Sequence, residues 1–596
     1  MSDFCDRKTV VFTKMDEAFG PSEHLSKFAL MNKWRVVPYE SNLGDGNLLM
    51  SAGGNPPDVS FDPKLCGWYR IYVIIPGGSR LNIKLSGDGA FLRISGTYNS
   101  HRTFEKLYWK SADMTGQSVI LSKKIDVPEI NTLFGGLVFE PMTDEEVAEW
   151  KREDARVDTK RIYATDDMHN RVYFMKHDSY EDWKGAVEIY CHSDVEWLSI
   201  EEIRTFVSNR LPTDNIDDFC FPRGGDKLVQ QQFPKFDYDK VLSTVVDYGH
   251  EKGLKMSVSY RMGAWGISFP YDQFYFDSDI MEEHPEWRTF DRNGDEIFAL
   301  SYAYEGVQDY IIGELLKVAR SGCDAVTLIA HRGIPYVLFE KPVADKFYEL
   351  YGEYPYELPL DEPRLSKLHC DIMTGFFRRL REALDSEFGK NKVEIHLRSM
   401  YSIHDTKMVA IDSEELAREG LIDAIISFPQ RHHEKLDGDI WQEGKEYRID
   451  VDKYTAWIKE KQSGITYHTS NFDCEPPYTN YDGKLCGPAD QTARIAEWNA
   501  LEEKYGVKIY YDIMPRSMPN EEFRRRALEL YDCGAERFAL WDTYGRAPKR
   551  SMWAVAGHLG HKEELRDFDY TPYSTVLRVG KVGGVDVSRY NPMWGG

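Results

Sequence analysis

The stretch GCDAVTLIAHRGIPYVLFEKPVAD, Gly322–Asp345, decides how the chain is read. Ala325, Val326, Leu328 and Ile329 make a short apolar run of the kind a buried strand needs. The run then empties into His331, Arg332, Gly333, Pro335, Tyr336 and Glu340. A buried strand that ends in polar and aromatic groups is how β/α folds present chemistry, because ligands sit at the carboxyl ends of their strands. This loop is expected to wall a ligand-binding cleft, with Glu340 as its leading carboxylate.

Outward from this stretch, strand and helix patterns alternate, which predicts a parallel sheet. The apolar strand candidates are residues 186–191, 218–222, 254–260, 324–329, 393–397, 422–428, 465–468, 507–512 and 537–541. Amphipathic helices are expected at 200–210, 238–252, 306–320, 365–388, 413–420, 451–461, 488–505 and 520–533. Gly253, Gly322, Gly420, Gly506 and Gly534 follow five of these runs, where helix C-termini favour glycine. Nine candidates exceed the eight strands of a (β/α)8 TIM barrel by one, and the spare is the 465–468 strand or the first. No G-x-G-x-x-G follows the first strand, which disfavours a dinucleotide fold.

The preceding region reads differently. Short β-branched and aromatic runs, WYRIYVII at 68–75, LNIKL at 81–85, AFLRI at 90–94 and 118–121, are separated by Gly and Asp turns. Residues 1–150 are therefore expected to form an all-β sandwich or jelly roll, residues 151–180 a linker, and 181–596 the barrel with a C-terminal extension. The charged run at 142–154 belongs to the junction, with Thr143 and Glu146 spaced as a capping box. The tail VLRVGKVGGVDVSRYNPMW is read as closing the barrel.

Composition narrows the function classes. With 98 Asp and Glu against 74 Lys and Arg, the formal charge of −24 repels nucleic acid and anionic membranes. The run Arg524, Arg525, Arg526 lies in a helical pattern and reads as a solvated face. Nine cysteines without a C-x-x-C pair argue against a zinc site or disulfide framework, although Cys474 and Cys486 are close enough in sequence to bridge one loop. No metal and no cofactor are expected. The start MSDFCDRKTVVF lacks a signal peptide pattern, so a cytoplasmic location is expected unless an export signal has been removed. No apolar run is long enough to span a bilayer. The expected partner is a carbohydrate, and a homo-oligomer is left open.

Polar residues recur where strands end. They are Arg261 and Trp265 after the third, His331, Arg332 and Tyr336 after the fourth, and His396 and Arg398 on the fifth. Gln430, Arg431, His432 and His433 follow the sixth. His468, Asp473 and Glu475 follow the 465–468 strand, Asp512 and Arg516 the next, and Trp541, Asp542 and Arg546 the last. Glycoside hydrolysis needs two carboxylates flanking the bond, about 5–5.5 Å apart for retention and roughly 6.5–9.5 Å for inversion. Glu340 lies among apolar residues that would raise its pKa and suit a general acid. Its partner is sought in Asp512 and Asp542 first, then Asp473 and Glu475. Tyr510 and Asp512 share one strand face. Arginines at three strand ends fit a uronic acid or a sulfated sugar. DRNGDE at 291–296 lacks the later ligands of a calcium loop and reads as a hairpin turn. The paired histidines 432 and 433 lack the spacing of a zinc protease motif.

Four stretches taken together carry a family resemblance: HPEW at 284–287, HRGIPYVLFEKPVADKFYELYGEYPYELPLDEPR at 331–364, IMPR at 513–516 and ALELYDCGAERFALWD at 527–542. Over residues 180–560 the chain resembles the bacterial "family 10 glycosylhydrolase"-like barrels. The resemblance implies a (β/α)8 glycoside hydrolase with its acid/base near the end of the fourth strand, which falls on Glu340. The Asn-Glu pair of the family 10 xylanases is missing, since Phe339 precedes Glu340. The competing expectations are a non-catalytic glycan-binding protein on the same scaffold, and a uronic-acid lyase or other sugar-modifying enzyme with His331 or Tyr336 as base.

Overall fold

The computed structural model describes residues 8–587, except 52, 97–102, 125–131, 169–170, 172–174, 176, 203–235, 264–278, 295, 332–334, 360–361, 430–487 and 514–519. Eight parallel strands close into a barrel. In chain order they are Ile162–Asp166, Val195–Glu201, Lys255–Arg261, Ala325–Ile329, Glu394–Ser399, Ala424–Ser427, Lys508–Asp512 and Phe538–Leu540. The first strand pairs with both the second and the eighth, which closes the ring. The fold is a (β/α)8 barrel accompanied by antiparallel sheets.

The last six strands stand where the apolar runs place them. The first two do not. The stretch expected to link the two regions carries the first strand, Ile162–Asp166, all five residues of which are buried. The run at 186–191, expected as a strand, begins as the short helix Gly185–Glu188. A short apolar run fits a buried helix as well as a strand, and here Ala186, Val187, Ile189 and Tyr190 are all buried. The second strand is Val195–Glu201, so Ile200 and Glu201 are extended and not helical as expected. The expected strands at 218–222 and 465–468, the helix at 451–461, and Cys474 and Cys486 lie outside the described residues.

Helices Tyr238–Glu251, Glu305–Ala319, Pro363–Phe388, Ser413–Arg418, Pro488–Tyr505 and Asn520–Asp532 surround the barrel. The glycines after five of them, 253, 322, 420, 506 and 534, all have positive φ, the left-handed conformation that ends a helix at least cost. The turn at 291–294 joins the antiparallel strands Arg288–Phe290 and Glu296–Leu300 as a hairpin. Helix Asp144–Asp154 opens with the expected capping box: Glu146 N–H donates to Thr143 Oγ1 at 3.1 Å, and Thr143 N–H donates to Glu146 Oε2 at 2.8 Å.

The N-terminal region holds a ten-stranded sheet, antiparallel apart from one short pair, and a four-stranded antiparallel sheet. Strand Trp68–Pro76 is buried on both faces. Ile71, Val73 and Ile75 join the main core, and Tyr72 and Ile74 join a second core with Tyr39, Phe104 and Leu577. The period of two explains both the division and the unbroken apolar sequence. The tail does not close the barrel. Its strand Ser574–Val582 enters the ten-stranded sheet between Thr103–Asp113 and Trp34–Ser41. Those positions offered it two sheet edges, whereas the barrel ring has none left.

Near the amino ends of the barrel strands, Gly560 donates its N–H to Asp194 Oδ2 at 2.9 Å. A Cβ there would stand 1.9 Å from Thr159 O and 2.9 Å from Asp194 Cβ. Gly560→Ala is therefore expected to cost about 1–3 kcal/mol through overpacking against backbone. Thermal melting measures this, and an unchanged melting temperature would contradict it.

Candidate active site

Inward residues recur every second position along the barrel strands. Tyr163, Trp197, Ala424, Ile426, Tyr510 and Ala539 form one apolar cluster in the interior. Two positions after Tyr163, Trp197, Ile426, Tyr510 and Ala539 come Thr165, Ser199, Phe428, Asp512 and Trp541. The carboxyl-end face is thus lined by strand tips whose orientation the alternation sets.

Arg398 and Asp512 meet in a buried ion pair on the fifth and seventh strands, 1% and 0% exposed. Arg398 Nη2 also donates to Thr165 Oγ1 at 2.9 Å. Its guanidinium carbon lies 4.5 Å from the Trp541 ring centre. Trp541 N–H approaches Asp512 Oδ1 at 3.4 Å. The His331 ring stacks on Phe428 at 4.1 Å and meets Trp541 edge-on at 5.1 Å. Arg398 and Asp512 lie within strands, and His331, Phe428 and Trp541 within two residues of a strand end, so the barrel itself brings these groups together.

A second guanidinium stands nearby. Arg546 is 3% exposed and donates from Nη2 to Trp541 O at 2.7 Å. Among the described residues its buried Nε and Nη1 have no hydrogen-bond partner. Burial pushes its pKa down to about 10, an effect the Asp512 charge partly offsets. On the first strand, Asp166 accepts two bonds from Arg171, both at 3.0 Å, and one from the Tyr190 hydroxyl at 2.6 Å. The second and third strands contribute a further pair, Glu201 with Arg261. Asp167 stands 4.0 Å from Arg261 Nη2. Asp542 follows Trp541 in a left-handed conformation, φ 46°, ψ 64°, which Asp tolerates better than most residues.

Of the residues singled out in the sequence, Arg261, His331, Arg398, Asp512, Trp541 and Asp542 are at this end of the barrel. Trp541 is 1% exposed, so its ring faces Arg398 and His331 and offers no open surface to a sugar. His396 is a correction. It lies two residues before Arg398, where Nδ1 is 3.0 Å from the Tyr163 hydroxyl and Nε2 is 2.8 Å from Glu394. It is a satisfied interior residue. Tyr336 is also displaced: it is buried outside the fourth strand, edge-on to Tyr302 at 5.8 Å. Trp265, Arg332, Gln430, Arg431, His432, His433, His468, Asp473, Glu475 and Arg516 lie outside the described residues.

Glu340 is in the loop after the fourth strand, as expected, but its carboxyl group is turned into the protein. It is 0% exposed, and both its oxygens face the Leu338 N–H, at 3.1 and 3.0 Å. The Ser301 and Thr289 side chains, beside and within the 288–300 hairpin, lie close to it. Burial raises its pKa to about 7. The expected shift is present; the partners are those of a buried loop anchor, different from those around Asp512. Glu201, Asp166 and Asp167 were the residues the sequence argument passed over. Their signal was there: DVEWLSIEE and RIYATDD are short alternating or apolar runs with acidic ends.

Among the described residues no group of three or more His, Cys, Asp and Glu could hold a metal ion, and no helix is long and apolar enough to cross a membrane. No protein family matches the chain, and no curated protein does either. Solved structures do. The glycoside hydrolase domain of PgaB (BpsB) from Bordetella bronchiseptica is similar at 11% identity and a TM-score of 0.37, over 65% of this chain and 95% of that one. The catalytic domain of beta-amylase from Paenibacillus polymyxa gives 10% and 0.37, over 68% and 97%. The alpha-galactosidase TtGalA from Thermus thermophilus gives 10% and 0.29, over 85% and 90%. At these identities and scores the likenesses assign no activity; the barrel stands on its own strand pairing.

Proposed function

We propose that the protein is a glycoside hydrolase acting on a poly- or oligosaccharide at the carboxyl-end face of the barrel. The observation that carries this reading is the presence at that face of two carboxylate–arginine pairs, Asp512 with Arg398 and Glu201 with Arg261, the first of them packed on Trp541, which in turn meets His331. The two carboxylates project from the seventh and second strands, on different sides of the ring. A glycosidic bond lying between them has one group to protonate the leaving oxygen and one to attack or to activate water. Asp512 and Glu201 are the two catalytic carboxylates of this reading. Asp542 borders the Asp512 wall, and Arg546 adds positive charge that suits an acidic sugar. The resemblance to the family 10 glycosylhydrolase-like barrels supports the same chemistry.

The full burial of Asp512 favours a second reading, a glycan-binding protein whose ion pairs are purely structural. Release of reducing ends from a broad panel of oligo- and polysaccharides separates the two. The enzyme reading expects turnover on at least one glycan, and a fall of at least about 100-fold in Glu201→Gln, the scale of lost acid–base catalysis. Retention on glycan resins without any bond cleavage would establish binding instead.

A further inference from the structure

A cavity of about 790 Å³ lies at the other end of the barrel, between it and the ten-stranded sheet. Lys160, His192 and Asp194, which line it, precede the first and second strands. It is therefore remote from the carboxyl-end face. Its remaining walls come from strands Trp68–Pro76 and Thr103–Asp113, helix Asp144–Asp154 and the segment 550–573.

Most charges around the cavity are already paired. Arg70 meets Glu146 at 3.0 Å, Lys110 meets Asp88 at 2.8 Å, His192 meets Asp154 at 2.7 Å and His561 meets Asp194 at 2.8 Å. Arg550 is different. Among the described residues no carboxylate pairs with it, and its Nη1 is buried without a hydrogen-bond partner. The polar groups acting on it are the hydroxyls of Tyr108 and Tyr573 and the thiol of Cys191, and burial lowers its pKa. One helical turn on, the Trp553 Nε1–H is also buried, with no acceptor among the described residues. Arg550 as a whole is only half-buried and lines the cavity, so the accessible part of its guanidinium faces the cavity with no carboxylate among the described residues to balance its charge, which a ligand carboxylate would do.

The third group is an acceptor. His558 Nδ1 is 2.9 Å from Ala554 O, a carbonyl that can only accept, so Nδ1 carries the proton. Burial lowers the His558 pKa and favours the neutral ring, which leaves Nε2 as an acceptor. Aromatic rings complete the wall: Tyr108 and Tyr573 meet edge-on at 5.1 Å, and Trp150 lies 5.2 Å from His192. The rim also carries Glu149, Glu153 and Glu564, which disfavours a multiply charged anion. One carboxylate on a hydroxylated body of one or two rings matches the donors, the acceptor, the rings and the volume.

We propose that this cavity is a second binding site, for a sugar acid whose carboxylate sits on Arg550 and whose hydroxyls reach His558 Nε2. It does not depend on the chemistry at the other end of the barrel. The test is calorimetric titration of the intact protein with galacturonate, and with galactose as the uncharged counterpart. Saturable galacturonate binding is expected, at least 10-fold tighter than galactose. Arg550→Gln should weaken it at least 10-fold, Arg550→Lys should recover part of the loss, and Asp512→Asn should leave it intact. His558→Phe keeps a ring and removes the Nε2 acceptor, so it tests the same wall if Arg550→Gln does not fold; melting curves establish which variants fold. Equal binding of the two sugars, no binding of either, indifference to both wall substitutions, or loss on Asp512→Asn would each overturn the proposal.

Discussion

Replacing Asp512 by alanine is expected to remove about 3–5 kcal/mol of stability, the usual cost of stranding one member of a buried ion pair. Arg398 would stay in place at 1% exposure with the Thr165 hydroxyl as a remaining acceptor. The same substitution is expected to lower turnover by roughly 10²–10⁴-fold, the range of a lost acid–base or nucleophilic group. The two losses have different causes and come apart in the double variant Arg398→Met, Asp512→Ala. Removing both charges relieves the stranded cation, so most of the stability should return, while turnover should stay low. Chemical denaturation and reducing-end release measure the pair. If activity returned with stability, Asp512 would be a scaffold residue and the proposed role would fail.

Glu340→Gln carries the second large effect, and it is a dependence on pH. In the folded chain the carboxyl pKa is raised to about 7 from its ordinary 4.5. The native state therefore holds this proton more tightly than the unfolded chain does. The stabilisation from Glu340 is fully present below pH 4.5, is lost as pH rises, and is gone above about 7. At about 1.36 kcal/mol per pH unit across that window, the loss is on the order of 3 kcal/mol. Glutamine has no proton to lose, and its carbonyl can still accept from the Leu338 N–H. The difference in unfolding free energy between wild type and variant should therefore change across pH 4.5–7 in the direction that favours the variant at high pH. A constant difference would show that Glu340 does not titrate in this range. Turnover should change by no more than a few-fold, because the groups around Glu340 are not those around Asp512; a fall of orders of magnitude would bring Glu340 back into the chemistry.

Much of this arrangement could be read in advance, and the failures have physical causes. Strands three to eight announce themselves because barrel strands are buried on both faces and so are apolar throughout. Asp512 and Trp541 follow from counting in twos, and so does the demotion of His396, which shares its strand face with Arg398 but lies one layer lower. The first strand, RIYATD, is too short and too closely bordered by charge to stand out. The second was masked by the more apolar AVEIYC just before it, which folds as a helix and turn. For Glu340, the apolar neighbours foretold a raised pKa but not the direction of the side chain. That direction depends on the 288–300 hairpin, which is distant in sequence. The tail was misplaced for a similar reason: its alternation identified a strand, but nothing local says which sheet has an edge to receive it.

The position of Ser574–Val582 also orders events in time. A ribosome completes Trp34–Ser41 and Thr103–Asp113 early and the strand that joins them after the whole barrel has emerged. Val576 pairs with Glu105 and Val582 with Tyr39, so the two halves of the ten-stranded sheet must wait with open edges throughout synthesis. Open edges recruit other strands, and contacts this remote form slowly. The nascent chain is thus most exposed to misassembly while its barrel is being made, and the late strand works as a latch that removes the hazard only when translation has passed residue 582.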